Sequence, residues 1–198
     1  MTTTVFLVRH GSTDHLGHVI SGRMEGVPLN DRGRGEAQAA AERLRAERVE
    51  ALYTSPVQRT QETAAALSEA LGLEPRVDER LLEIDFGDWT GKAFAELDGD
   101  DHWRRWNDAR AGTRAPGGET MDEVQARLRG FLDDAKVRHP GGRVAAVSHA
   151  DVIKAVLADA LGFSIDRHAS IEINPGSVSA LAVGDWGTKV LSVNEAPR

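Results

Sequence analysis

Two histidines, two arginines and one glutamate in this chain have the types and settings that phosphate chemistry needs. Arg9-His10 follows directly on Phe6-Leu7-Val8 and precedes Gly11-Ser12. Arg9 offers a planar, permanently charged fork that matches phosphate oxygens, and His10 a nitrogen that can be neutral and nucleophilic near neutral pH. Gly11 allows the backbone to come close to an anion. A second apolar run, Val144 to Val147, ends in Ser148-His149. From Ala150, the residues Val152, Ile153, Val156, Leu157 and Leu161 recur at helical spacing up to Gly162, so His149 falls at a strand-to-helix junction whose free amides and dipole favour an anion. Arg59 falls in the first turn of another helix, against that helix's dipole, and an anion held at the same end explains its place. Glu83 stands between Leu82 and Ile84. Desolvation among apolar neighbours raises a carboxyl pKa and prepares it to donate a proton, whereas Asp85 and Asp88 read as turn residues.

These groups need elements to hold them. Val5–Val8 reads as a buried central strand, and the polar stretch from Ser12 to Asn30, with Gly11, Gly17, Gly22 and Gly26 spaced through it, as a loop over the strand end. His15 and His18 in that loop lack acidic or histidine partners at helical spacing and read as solvent-facing, not as metal ligands. Asn30 is placed to cap a first helix with an Ala-lined face (Ala37, Ala40, Ala41, Leu44). Ala51–Thr54 is a strand, Ser55 an N-cap with Pro56 at the first helical position, and Thr63, Ala64, Leu67 and Leu71 the buried face of a second helix ended by Gly72. Pro75–Val77 makes a weak strand. Residues 92–116 are helical in pattern but charged, with Trp103 and Trp106 one turn apart as core anchors or ligand contacts and Arg104, Arg105, Arg110 and Arg114 nearby. Beyond Pro116-Gly117-Gly118, Thr120 with Glu123 forms a capping box for a long amphipathic helix. A hairpin around Asp185-Trp186-Gly187 closes the chain.

The 198 residues, 40% of them hydrophobic, suffice for one sizeable core, and no repeat or linker divides them. A net charge of -7 argues against a nucleic-acid or anionic-membrane binder, so an anionic ligand must meet a local basic pocket. With no Cys there is no disulfide framework, thiolate nucleophile or Cys-based zinc site. The first apolar run stops at Arg9, too short for a signal peptide or membrane span, and a cytoplasmic protein is expected.

Taken together, the motifs resemble the histidine phosphatase (phosphoglycerate-mutase-like) superfamily over nearly the whole chain, in its compact phosphatase branch. Arg9-His10-Gly11, Leu29-Asn30 with Gly33 and Gln38, Ser55-Pro56 with Arg59 and Thr63-Ala64, Glu83 with Phe86 to Gly91, Pro116 to Glu119, and Val147-Ser148-His149 through Ile153 follow in the family's order. The resemblance implies that Arg9, Arg59 and His149 hold the phosphate with the Ala150 backbone, that His10 is the nucleophile, and that Glu83 is the proton donor. It also implies a doubly wound three-layer α/β/α sandwich with a mostly parallel central sheet, carrying the site at the carboxyl edge. Two positions depart from the family pattern. Leu16 stands where the cofactor-dependent mutases usually carry Asn, and Ala150 where Gly is common.

One domain over residues 1–198 is therefore expected, with a helical lid at about 92–116, and Ser21, Gly22, Arg104 and Arg110 as substrate contacts. Two arginines and a charged His149 supply the positive charge that phosphoryl transfer requires without metal or cofactor, provided that the environment splits the two histidine pKa values so that His10 stays neutral. The expected activity is hydrolysis of a small-molecule phosphate ester through a phosphohistidine. A phosphoglycerate mutase and a non-catalytic phospho-ligand module are the alternatives, the latter needing neither acid nor nucleophile. The sequence sets no oligomeric state, a dimer being one option.

Overall fold

The structure is a computed structural model that describes residues 1–196; the last two positions of the expected 1–198 domain lie outside the described residues. Six strands form one sheet: β1 (Thr3–Arg9), β2 (Ala51–Thr54), β3 (Pro75–Val77), β4 (Arg143–Ser148), β5 (Val178–Gly184) and β6 (Gly187–Glu195), in the spatial order β3-β2-β4-β1-β5-β6. The first four run parallel, while β5 is antiparallel to β1 and β6 to β5, which makes the closing hairpin. Helices α1 (Asp31–Leu44), α2 (Gln58–Leu71), α3 (Asp101–Asp108), α4 (Met121–Arg138) and α5 (Ala150–Leu161) complete the regular structure.

Alternation along the strands divides the core between the two faces of the sheet. Phe6, Val8, Leu52, Ala145 and Val147 pack with Ala40, Ala41 and Leu44 of α1 and Ala64 and Leu67 of α2. Val5, Leu7, Tyr53, Val144 and Ala146 pack on the other face with Val124, Leu128 and Phe131 of α4 and Val152, Ile153 and Val156 of α5. Because the central strands are covered on both sides, they read as continuous apolar runs, as buried parallel strands do. The α/β/α sandwich and its mostly parallel sheet are those expected.

The caps are mostly as read. Asn30 accepts from the Gly33 amide at 2.9 Å, and Thr120 and Glu123 form their reciprocal box. Ser55 is different: α2 begins at Gln58 with Val57 as N-cap, and Ser55 extends the sheet by donating its amide to Val147 O at 3.1 Å. Its hydroxyl is consequently free for another task. Residues 92–116 hold less helix than their pattern predicted, a 3₁₀ turn at Phe94–Glu96 and the two-turn α3, since Gly99, Gly112 and Pro116 interrupt it. Among the described residues no helix is long and apolar enough to cross a membrane.

Candidate active site

Strand register builds the site. β1 and β4 are adjacent, parallel and paired Arg9 to Ser148, so the two strands end level and His10 and His149 leave the sheet edge side by side. The His10 amide donates to Ser148 O at 3.0 Å, and the imidazole centroids lie 5.2 Å apart. Parallel neighbours in register convert two distant sequence motifs into one cluster.

His10 is buried, with Nδ1 2.7 Å from Gly11 O. That bond requires a proton on Nδ1 and assigns the tautomer whose lone pair is on Nε2, onto which Arg59 Nε donates at 3.2 Å. Arg59, 2% exposed, also donates through Nη2 to Gly22 O at 2.6 Å and to His149 Nδ1 at 3.2 Å, while its Nη1 is buried without a partner. With Nδ1 accepting, His149 carries its proton on Nε2 and gives it to Ser55 Oγ at 3.0 Å. Arg9 is held by Ile173 O at 2.6 Å through Nη1.

The expected split of the two histidines is not what the environment provides. Burial, followed by the Arg59 charge and then Arg9, lowers His10 well below the usual imidazole value. Burial and Arg59 lower His149 likewise, with His10, Arg127 and Arg9 adding to it. Both rings are neutral near pH 7, because each faces the same fixed guanidinium in a dry site.

Glu83 meets its expectation more fully. Its segment is fixed on both sides, by Ser148 Oγ donating to Leu81 O at 2.8 Å and by Arg23 Nε donating to Glu83 O at 2.9 Å, with Leu81 and Ile84 fully buried. Burial, reinforced by the negative charge of Asp151 and opposed by Arg59, raises its carboxyl to about 7. Its Oε2 lies 3.9 Å from His149 Nδ1. Asp85 accepts from the Gly87 amide at 2.9 Å, a turn role as read.

Two glycines, Gly11 and Gly33, serve a packing role that the sequence did not show. A side chain at Gly11 would overlap Gly33 O, and one at Gly33 would overlap Ser12 O, so the pair lets the loop after β1 pack backbone to backbone on the start of α1. The Gly11 amide donates to Thr63 Oγ1 at 3.1 Å and the Ser12 amide to Glu36 at 2.7 Å. The close approach of Gly33 alone requires glycine at Gly11, and the Gly11 amide is taken by Thr63.

A cleft of about 260 Å³ runs outward from these groups, lined at its inner end by Arg9, His10, Arg59, Glu83 and Ala150, with Ser21, Gly22 and Arg110 also on its wall. Arg104, expected beside them, is not a lining residue. It is exposed and pairs with Asp101 one turn back on α3 at 2.6 Å, because its position faces away from the Trp103 and Trp106 side of that short helix. Trp106 is fully buried and Trp103 partly so, and both line the cleft, so they act as core and wall at once. His15 lines the cleft with Nδ1 3.2 Å from Ser21 Oγ, and His18 is exposed.

The model of the histidine phosphatase superfamily (branch 1) matches residues 5–196. The chain belongs to this superfamily. Phosphoserine phosphatase 1 of Hydrogenobacter thermophilus is 30% identical over 195 residues, covering 96% of this chain and 91% of that one. A bifunctional protein of Mycobacterium tuberculosis is 41% identical over 200 residues, covering 98% of this chain but 54% of the longer protein. Among solved structures, mycobacterial glucosyl-3-phosphoglycerate phosphatase superposes with a TM-score of 0.87 at 28% identity, over 98% of this chain and 99% of that one. As a histidine phosphatase, the protein is a phosphoric monoester hydrolase.

Three residues of this histidine phosphatase site escaped sequence reasoning. Ser55 resembled a helix cap, and only the register of β4 beside β2 shows its hydroxyl meeting His149. Asp151 stands in the first turn of α5 and was not singled out in the sequence, yet it pairs with Arg110 at 2.8 Å and its negative charge raises Glu83. Asn107 accepts from Arg110 Nη2 at 3.2 Å and gave no signal in the sequence at all.

Proposed function

We propose that the protein hydrolyses small-molecule phosphomonoesters through a phosphohistidine on His10, without metal or cofactor. The observation that carries this is the His10 Nδ1 to Gly11 O bond, which leaves a lone pair on Nε2 in a cleft walled by Arg9 and Arg59. His10 Nε2 attacks phosphorus in line with the ester oxygen; the P–N bond forms as the P–O bond breaks, and Glu83 gives its proton to the departing alkoxide. Water then attacks the phosphohistidine, passing a proton to the Glu83 carboxylate, and inorganic phosphate leaves with both residues restored. Arg9, Arg59, the Ala150 amide and His149 hold the equatorial oxygens, and the negative charge of the bound phosphoryl group offsets the cations that keep His149 neutral. Glu83, poised at about 7, is supplied as the acid for the first half and the base for the second.

Leu16 favours hydrolysis over a mutase reaction. It lines the outer cleft with an apolar side chain that offers nothing to a second phosphate. The deciding experiment is rapid quench with radiolabelled phosphomonoester, followed by acid-labile, alkali-stable label on the protein. Wild type should trap label in a burst, His10→Ala should trap none, and chelator should change neither. A mutase would instead return the label to 2-phosphoglycerate when given 3-phosphoglycerate and a trace of bisphosphate.

A further inference from the structure

The outer cleft differs sharply from its phosphate end. Its wall beyond Glu83 is largely apolar, and two of the exposed large hydrophobic side chains of the described residues, Leu16 (42% exposed) and Phe94 (38%), sit at its mouth. Trp103 stacks on Trp106, with ring centroids 5.3 Å apart and planes 13° apart, and Phe94 tilts against Trp103 at 6.1 Å. These rings form a continuous aromatic wall that flat or apolar groups can lie on.

Charge is the discriminating feature. Arg110 is the arginine of the outer wall, and it is already paired: Nη1 donates to Asp151 at 2.8 Å, Nη2 donates to Asn107 at 3.2 Å, and the guanidinium lies 3.9 Å from the Trp106 ring centroid. A buried ion pair of this kind holds its partners strongly, since removing one leaves a charge uncompensated. A carboxylate on the substrate would compete with Asp151 for Arg110 and stand beside Asp151 itself. Arg110 Nε is buried without a partner, and an N–H in that setting, on a guanidinium whose charge Asp151 already offsets, suits a neutral acceptor such as a hydroxyl, ether or carbonyl oxygen. The volume, about 260 Å³, lies just under the usual range of about 300–1,000 Å³ for small-molecule sites, so the organic part is compact.

We propose that the substrate of this site is a phosphomonoester whose organic part bears no second negative charge and presents a single flat or apolar ring to Trp103 and Phe94. This rests on the phosphatase reading above. The selectivity follows from what the outer wall withholds as much as from what it offers: an aromatic surface whose arginine is already paired rejects amino-acid and sugar-acid phosphates while accepting a ring.

Release of phosphate from p-nitrophenyl phosphate first establishes whether any phosphatase activity exists, since its leaving group needs little from the outer cleft. Loss there defeats the phosphatase reading itself. On active protein, kcat/KM is then compared among benzyl phosphate, glycerol 1-phosphate, phosphoserine and 3-phosphoglycerate, all alkyl esters. Benzyl phosphate is expected at least tenfold above both carboxylate-bearing esters. Trp103→Leu and the fold-safe surface variant Phe94→Ser should each lower the ratio of benzyl phosphate to glycerol 1-phosphate at least fivefold. Carboxylate-bearing esters equal to or better than benzyl phosphate, or a ratio unmoved in Phe94→Ser, would overturn the proposal while leaving the phosphatase reading intact.

Discussion

Arg59 donates from Nε to the Nε2 lone pair of His10 at 3.2 Å, so the cation proposed to hold the phosphate also occupies the nitrogen proposed to attack it. The bond keeps His10 in one tautomer and orientation and opposes its protonation. In the proposed mechanism, phosphate oxygens take over the guanidinium and the lone pair is released toward phosphorus. Arg59→Ala is expected to lower kcat by about 10²–10³-fold, the loss seen when one preorganised donor is removed. Arg59→Lys should recover little of it, because an ammonium cannot span His10, Gly22 and His149 at once. Single-turnover kinetics on both variants checks this; a lysine variant at wild-type rate would reduce Arg59 to a point charge.

Glu83 should impose an alkaline limb near pH 7. Protonated, it can serve the leaving group; above about 7 it cannot, so kcat on an alkyl ester falls with rising pH while an aryl phosphate, whose leaving group needs no proton, stays nearly level. Glu83→Gln should remove that difference, and equal losses on alkyl and aryl esters would assign Glu83 a structural role.

The same carboxyl affects stability. Its pKa is raised above the ordinary 4.5, so the folded state binds this proton more tightly than the unfolded chain. Its contribution is complete below about 4.5 and lost as pH rises through about 7, a change of up to about 3 kcal/mol. Glu83→Gln lacks that loss, and its stability relative to wild type should improve from pH 5 to pH 8. The lowered pKa values of His10 and His149 act oppositely, destabilising both proteins alike as pH falls below about 6.5. Urea melts of the two proteins at both pH values give the comparison directly.

Ser55→Ala leaves His149 Nε2–H buried without its acceptor, at a cost of about 1–3 kcal/mol. The ring is then free to tilt, and kcat should drop about tenfold while KM for substrate changes little; Ser55→Thr should restore part of the rate. Thermal unfolding and steady-state kinetics on the pair separate the two effects.

Arg104→Ala is expected to be nearly silent, within about twofold in kcat/KM on every ester, because the side chain stays on the surface, pairing with Asp101 and reaching Gly99 O, and such exposed pairs are worth about 0–1 kcal/mol. A selective effect on one substrate class would return Arg104 to the cleft.

Much of this was legible in the chain. Arg9-His10 and Ser148-His149 ended apolar runs too short and too β-branched for helices, and Glu83 announced its desolvation through its flanking Leu82 and Ile84. What was not legible depended on which strands lie side by side. Ser55 met its partner only across β2 and β4, and Gly11 met Gly33 only after the loop folded back on α1. Arg104 and Arg110 look alike in sequence, and six positions of helix and turn separate a surface pair from a cleft wall. The neutrality of His149 was hidden for a further reason: it reflects three-dimensional proximity to Arg59, which sequence order does not reveal.

The loops around Glu83 also have a bearing on how such a site can be altered. Gly87 and Gly118 let the two segments meet backbone to backbone: Asp88 N donates to Pro116 O at 2.8 Å, and Glu119 N to Asp85 O at 2.9 Å. Residues 89–115 thus form an excursion whose two ends are fastened together beside the acid. Lengthening a flexible excursion costs only about 0.6 kcal/mol per doubling, and with the ends pinned it need not disturb Glu83. The segment that carries Phe94, Trp103, Trp106 and Arg110 is therefore a place where the chain can gain or lose residues while Glu83 keeps its seat, with Trp106 in the core and the Arg110–Asp151 pair tying it back to the rest of the molecule.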